Sequence, residues 1–351
     1  MPANDSRQSF LGDTSITRLT TAASALPFAV GIGTPEHAEA LLQDLYIRLR
    51  RDLQRWASVT QQTPQPRMGY VGQHLVSVVT GYPGGRSGAR GDDLKLPGGK
   101  CAEIKCCYRV DQLGQCRACG TAVASLERIC PNQDCRSTLI ERKDDSKWLL
   151  APRDEKELRE MFVPVCYYLV LFEFRDLAAA EDIDVSIYHV DPQHLGFSLC
   201  MIDYYFNIRS KSKSKAPFNL WPQSPKLLMM KPQRIYWAII HADDKVETKL
   251  FPNRDEPVLH AFGPLTDYAR PGTITEEAVD ALATRRSVSF ARATITATGR
   301  GRLAAKLKEL EQRRKADKWS DVDLADDLAR SVYTSKVNRY GTWLKEFAPS
   351  L

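Results

Sequence analysis

The sequence predicts an α/β fold, a mixed central sheet flanked by helices, with a small cysteine-rich insertion and a helical C-terminal region. Three observations point there. Apolar runs rich in Val, Ile, Tyr and Phe at residues 162–174, 183–190 and 234–241 have the length and composition of buried strands. Helical patterns with start signals lie before, between and after them. The chain has 351 residues, 43% of them hydrophobic and 26% charged, enough for two or three domains with an ample core.

The elements follow in order. Residues 1–33 are irregular and rich in Ser, Thr and Ala, which suggests an N-terminal arm. Thr34, Pro35 and Glu36 open a helix, with Thr as N-cap, Pro at the first helical position and an acid in the first turn. Its apolar stripe is Leu41, Leu42, Leu45, Ile47, Leu49, Leu53 and Trp56, and residues 61–66 end it. A short helix over 70–80 stops at the turn-rich stretch beginning Gly81-Tyr-Pro-Gly-Gly. Two short strands come next, then the cysteine-rich insertion, Trp148 with two leucines, a helical segment at 155–160 and the three apolar runs. Helices are expected at 302–315, 322–333 and 336–347. The expected organisation is an arm over 1–33, a core over 34–265 that includes a metal module at 115–136, and a basic helical region over 270–351.

No run reaches the roughly 18 apolar residues of a membrane-spanning helix, and the N-terminus lacks the basic-then-apolar layout of a secretory signal. Nine cysteines, four of them at metal-ligand spacing, argue against a secreted disulfide scaffold and for a reducing cytoplasm. The net charge of +6 is concentrated: from Arg285 to Lys345 fifteen Lys and Arg stand against seven Asp and Glu. Such a basic end on a nearly neutral body suggests contact with a polyanion, or else a solvated helical face.

One candidate site lies in the stretch Gly91-Asp-Asp-Leu-Lys-Leu-Pro-Gly-Gly-Lys-Cys-Ala-Glu-Ile-Lys105. Pro97, Gly98 and Gly99 signal the turn of a β-hairpin. Side chains alternate along a strand, so Glu103 and Lys105 share one face while Ile104 points into the core. Asp93 can then lie beside Glu103 across the ladder. Two converging carboxylates need a neutralising cation, and Mg²⁺ prefers oxygen ligands of this kind. A neighbouring lysine can orient or activate water, a combination suited to hydrolysis of a phosphodiester.

A second candidate is Cys116, Cys119, Cys130 and Cys135, two close pairs that suit a tetrahedral structural Zn²⁺ and leave no open position for catalysis. The module starts about ten residues after Lys105, with Arg109, Arg117, Arg128, Arg136, Arg142 and Lys143 around it. It could brace a loop against DNA or carry base contacts, bracing being the first expectation. The other five cysteines sit in apolar stretches and read as core residues. In the basic end, Ser320 is a candidate cap for one helix and Thr334 for a second that carries Lys336, Arg339 and Lys345 on one side and Val337, Tyr340, Trp343 and Leu344 on the other. That pair resembles a helix-turn-helix. Arg300, Arg302, Arg313, Arg314 and Lys315, and the loop cations Lys211, Lys213 and Lys215, are candidates for phosphate contacts.

The hairpin motif Asp93, Glu103, Lys105 resembles that of the PD-(D/E)XK nuclease superfamily, the fold of many type II restriction endonucleases. Around the hairpin and cysteine module, roughly residues 65–150, the chain is similar to the MamI-like group. Two positions depart from the superfamily pattern. Asp92 stands where the motif has proline, so Asp92 is an alternative first acid. Gln73 stands on the preceding helix where many members carry a glutamate. The resemblance implies Mg²⁺-dependent, site-specific cleavage of double-stranded DNA without a nucleotide cofactor. It implies that Asp93, Glu103 and the Ile104 main-chain carbonyl bind Mg²⁺, that Lys105 positions or polarises the attacking water, and that the enzyme is a homodimer. A repair or recombination nuclease of the same fold, and a non-catalytic zinc-containing DNA-binding regulator, are the rival readings.

Overall fold

The computed structural model describes residues 33–60, 62, 69–85, 93–125, 127–211, 217–251, 258–260, 262–269, 273–337 and 340–347. Its N-terminal helices are α1 (Pro35–Leu41), a π-helical continuation (Leu42–Arg48), α2 (Leu49–Thr60) and α3 (Gly69–Thr80). Thr34 caps α1 as expected, its hydroxyl accepting from the His37 N–H at 3.3 Å. The buried face differs from the expected stripe. Ala38, Leu42 and Tyr46 are fully buried, whereas Leu45, Leu49 and Trp56 are exposed. The wider π turn accounts for this: it rotates the following residues relative to a 3.6-residue repeat, so a stripe drawn on α-helical spacing drifts off the core.

Sheet order explains where everything else lies. Strands β1 (Leu94–Leu96), β2 (Lys100–Tyr108), β7 (Tyr167–Phe174), β8 (Ile183–Val190), β10 (Gln233–Ile240) and β11 (Val246–Leu250) are neighbours in that order, and β12 (Val258–Leu259) also pairs with β10. Only β2 and β7 run parallel among these pairs. Strand β7 reads Tyr-Tyr-Leu-Val-Leu-Phe-Glu-Phe because both its faces are covered. Tyr167, Leu169 and Leu171 enter one core; Tyr168, Val170, Phe172 and Phe174 enter the other. The second core is closed by α1, its π-helical continuation and α3. The first is closed by β6 (Trp148–Leu150), α4 (Glu155–Glu160), α5 (Leu195–Asp203), β9 (Phe218–Leu220) and α6 (Pro225–Met229). Helix α5 is buried on all sides from Leu195 to Ile202.

The basic C-terminal region packs into that first core through α7 (Glu276–Arg285), α9 (Gly299–Ala316), α10 (Asp321–Val337) and α11 (Gly341–Phe347), with α8 (Arg292–Thr296) packed on α9. Ser320 caps α10, its hydroxyl accepting from the Asp323 N–H at 3.1 Å. Thr334 does not start a new helix, because α10 runs through it to Val337 and the next helix begins only at Gly341. Lys336 therefore belongs to α10. Tyr340 and Leu344 are buried, and Trp343 packs edge-on against Phe206. Part of the positive charge of this region is balanced inside the fold, since buried Lys306 is bound by Glu276 and Asp280, both at 2.7 Å. Among the described residues no helix is long and apolar enough to cross a membrane.

Candidate active site and metal centre

The hairpin pairs Leu94 with Ala102, Lys95 with Cys101 and Leu96 with Lys100. One step further along this ladder sets Asp93 opposite Glu103. Gly98 and Gly99 make the turn at φ 73 and 70, a left-handed backbone that glycine adopts without a steric cost. Leu94, Ala102 and Ile104 are buried in the second core, so Glu103 and Lys105 emerge on the opposite face of β2.

Asp93 is held from two sides. Its Oδ1 accepts from Gln73 Nε2 and its Oδ2 from the Ile104 N–H, each at 2.9 Å. Gln73 reaches it because α3 lies hard against β2 at Gly72. The Gly72 N–H donates to the Tyr108 hydroxyl at 3.0 Å, and a Cβ at this position would sit 2.3 Å from Cys106 Sγ. Glu103 is 5% exposed and receives a hydrogen bond from the Lys105 ammonium, which supplies the counter-charge that a buried carboxylate needs.

Glu103 and Lys105 open into a cavity of about 410 Å³, whose lining also includes Leu150, Glu157, Met161 and Tyr167. Glu157 and Tyr167 were not reached from the sequence. The Asp154 carboxylate caps α4 by accepting from the Glu157 N–H at 2.8 Å, and Glu157 accepts in turn from the Arg153 N–H at 2.8 Å. This resembles a capping box, whose Asp-x-x-Glu spacing is a sequence signal. Tyr167 sits beside Glu103 in the parallel ladder, its hydroxyl donating to the Met161 carbonyl at 2.8 Å. Burial, with the Glu103 charge adding to it, pushes its phenol well above the ordinary range. In donor chemistry the Asp93 and Glu103 carboxylates and the main-chain oxygen of Ile104 fit a hard divalent cation.

The four cysteines meet in the module formed by β3 (Leu113–Cys116), β4 (Ala122–Ala124) and β5 (Ile140–Glu141). All four sulfurs lie within 4.8 Å of one another, with Cys116 and Cys135 Sγ 3.8 Å apart and Cys119 and Cys130 Sγ 3.5 Å apart. Four thiolates about 2.3 Å from a central Zn²⁺ stand ~3.8 Å apart at tetrahedral corners, so the spacing fits the ion. A disulfide, with sulfurs ~2 Å apart, does not match it. Gly120 at φ 76 and Arg136 at φ 49 turn the two knuckles. The Thr121 hydroxyl and N–H beside Cys119 pull its thiol down to about 6, which favours the ligating thiolate. Of the remaining cysteines, Cys107, Cys166 and Cys200 are buried, and Cys101 and Cys106 half-buried.

The cations expected on a DNA surface divide. Arg109 is 6% exposed and sits between Asp144 at 3.1 Å and Glu173 at 3.3 Å, so it faces into the fold rather than toward solvent. Arg142 donates to the carbonyls of Ser125, Glu127 and Ala178, tying the cysteine module to the β7–β8 connection. Arg314 is bound by Asp321 at 2.7 Å and Glu311 at 3.3 Å. Lys143 and Arg313 are exposed, Arg313 near Asp317 at 3.1 Å. Lys211 is exposed and donates to Asn207 at 3.2 Å. Asp92, Lys213, Lys215 and Arg339 lie outside the described residues, and for Lys336 only its place in α10 is described.

A family model described as MamI restriction endonuclease matches residues 55–262. That span contains the hairpin, the four cysteines and strands β1 to β11. The type II restriction enzyme MamI of Microbacterium ammoniaphilum is 41% identical over 69 residues, 18% of this chain and 22% of that protein. No solved structure matches.

Proposed function

The chain belongs to the MamI restriction endonuclease family, and from that premise we propose that it is a type II restriction endonuclease of PD-(D/E)XK fold that hydrolyses double-stranded DNA at a specific sequence. The observation that carries the catalytic assignment is the hydrogen bond by which the Ile104 N–H, next in the chain to Glu103, holds the Asp93 carboxylate, with the Lys105 ammonium on Glu103 where both open into a cavity. The rival regulator has no use for that arrangement.

Asp93, Glu103 and the Ile104 carbonyl are the ligands for Mg²⁺, which when bound supplies electrostatic stabilisation of the charge that develops on phosphate. The chain's own residues do the rest. Gln73 and the Ile104 N–H fix the Asp93 carboxylate from two directions, so its orientation is set before DNA arrives. Lys105, half-buried beside Glu103, keeps a positive charge where the attacking water and a non-bridging phosphate oxygen must meet, and lowers the cost of deprotonating that water. The apolar wall of Leu150, Met161 and Tyr167 limits water around the reacting centre, which strengthens the electrostatic effects inside it.

The four cysteines hold structural Zn²⁺. Phosphate contacts fall to the exposed cations Lys143, Lys211 and Arg313. A homodimer acting in the bacterial cytoplasm, without a nucleotide cofactor, completes the reading, since reading a palindrome suits two-fold symmetry.

Plasmid digestion tests it. In Mg²⁺ the purified protein is expected to give discrete fragments. EDTA and Lys105→Ala are each expected to abolish them, the substitution by about 10²–10⁴-fold in rate. Smearing under the same controls supports the repair-type nuclease instead. A plasmid that is bound but uncut removes the catalytic assignment.

A further inference from the structure

A second concavity, of about 550 Å³, lies between α2 and the cysteine module. Its lining is unusual in chemistry. Gln54 and Gln62 approach from the α2 side; Asn132, Gln133 and Arg136 come from the Cys130–Cys135 knuckle and the residue after it; Ile129 adds an exposed apolar side chain. Gln54, Gln62, Gln133 and Arg136 are exposed, and their side chains make no hydrogen bond among the described residues. Asn132 uses its Oδ1 on the Asp134 N–H at 3.0 Å and keeps its amide donors. The one acid in the lining, Glu127, is turned back onto the Ala124 N–H at 3.0 Å.

We propose that this cleft is the base-reading surface, where the Gln54, Gln133 and Arg136 side chains meet base edges in the major groove of duplex DNA. The inference deepens the proposed function and rests on it. Side-chain amides match the donor–acceptor pair of adenine, guanidinium matches that of guanine, and an apolar side chain suits the thymine methyl. A phosphate-binding surface would instead present several lysines and arginines, whereas Arg136 is the one cation in this lining, and exposed Arg117 and Arg128 of the same module lie outside it, paired with Glu141 and Glu181.

Reading also requires rigidity, and the knuckle supplies it. The Asn132 carbonyl accepts from the Cys135 N–H at 3.1 Å and the Arg136 N–H at 3.0 Å. Cysteines on either side pin the loop to the metal position, and Arg136 leaves it in a left-handed conformation. The ion thus acts on specificity through the loop it shapes.

The test is selection of bound duplexes from a randomised pool by the full zinc-loaded chain carrying Lys105→Ala, so that binding is read without cutting. One motif is expected. Adding Gln133→Ala or Gln54→Ala, both exposed positions, is expected to lower discrimination at one base pair of that motif by about 5- to 150-fold while affinity for unrelated duplex holds within about twofold. Circular dichroism and zinc content check the fold of each variant. An unchanged motif in both variants overturns the inference, as does a pool that enriches no motif. An unchanged motif with a shifted oligomeric mass reassigns the cleft to contact between copies of the chain. Failure of the catalytic reading looks different: with Lys105 restored, the chain selects its motif and leaves it uncut.

Discussion

The sheet and the cysteine module are stabilised by opposite means. Around the sheet, two large apolar cores meet on the faces of β2 and β7, and side chains such as Trp148, Phe172 and Leu75 are wholly buried. In the module the buried cluster is Cys116, Val123 and Cys130, with Cys135 and Ile140 packed against it. So small a cluster cannot offset the entropy of ordering the loops around it. The difference divides the work: burial holds the candidate hairpin, and the insertion beside it depends on the metal that we propose its four cysteines bind.

Removing the metal should break the comparison most visibly. Structural Zn²⁺ contributes about 10–16 kcal/mol of apparent binding free energy in small zinc peptides. Chelation is therefore expected to unfold the module, with fast hydrogen exchange over 113–141, while the sheet amides of β7 and β8 stay protected. Loss of protection in both regions together would mean that they form one cooperative unit.

Phe172→Ala is the reciprocal experiment. Its ring lies 5.0 Å from Tyr46 and 4.8 Å from Tyr108 in the second core. A loss of about 3–5 kcal/mol in denaturant unfolding is expected, with zinc content unchanged. A smaller effect comes from Gly72→Ala, which forces α3 away from Cys106 and should cost about 1–3 kcal/mol. Because Gln73 moves with α3, DNA cleavage should fall further than stability alone predicts. Wild-type activity in this variant would remove Gln73 from the site.

The last test uses pH. Burial, reinforced by the positive charge of Arg234, holds the His260 imidazole down at about 4. Its folded form resists protonation, so the stability it contributes is present above its unfolded value of about 6.5 and is lost as pH falls from there through 4. A loss on the order of 2 kcal/mol by pH 4 is expected for this group, allowing for its partial exposure. His260→Gln should flatten the fall in Tm between those limits, and an unchanged slope would show that other groups carry it.

Features that depend on neighbours in the chain were legible in the sequence, and features that depend on distant ones were not. The cysteine pairs, the Gly98–Gly99 turn and the Thr34 and Ser320 caps are local, and each has its own spacing rule. Glu103 and Lys105 follow from strand alternation. Their cavity does not, because Leu150, Glu157 and Tyr167 arrive from segments brought together only by the parallel β2–β7 pairing. Helix α5 left no periodic signal, since every face of it is buried from Leu195 to Ile202. The cations misled for a related reason: charge is visible in sequence, whereas the Asp144 and Glu173 carboxylates that enclose Arg109 are recruited from other segments.

The parallel pairing of β2 with β7 also has a kinetic consequence. Before these strands can join, the chain from Tyr108 to Tyr167 must close a loop, and the cysteine module lies inside that loop. Closure entropy rises with loop length, so an ion that clamps Cys116 to Cys135 early shortens the effective loop. The saving is roughly 0.4 kcal/mol, close to a factor of two in the rate of closure. Refolding started with zinc present should reach the native sheet faster than refolding with zinc added late, making the metal a pacemaker of assembly for a strand it never touches.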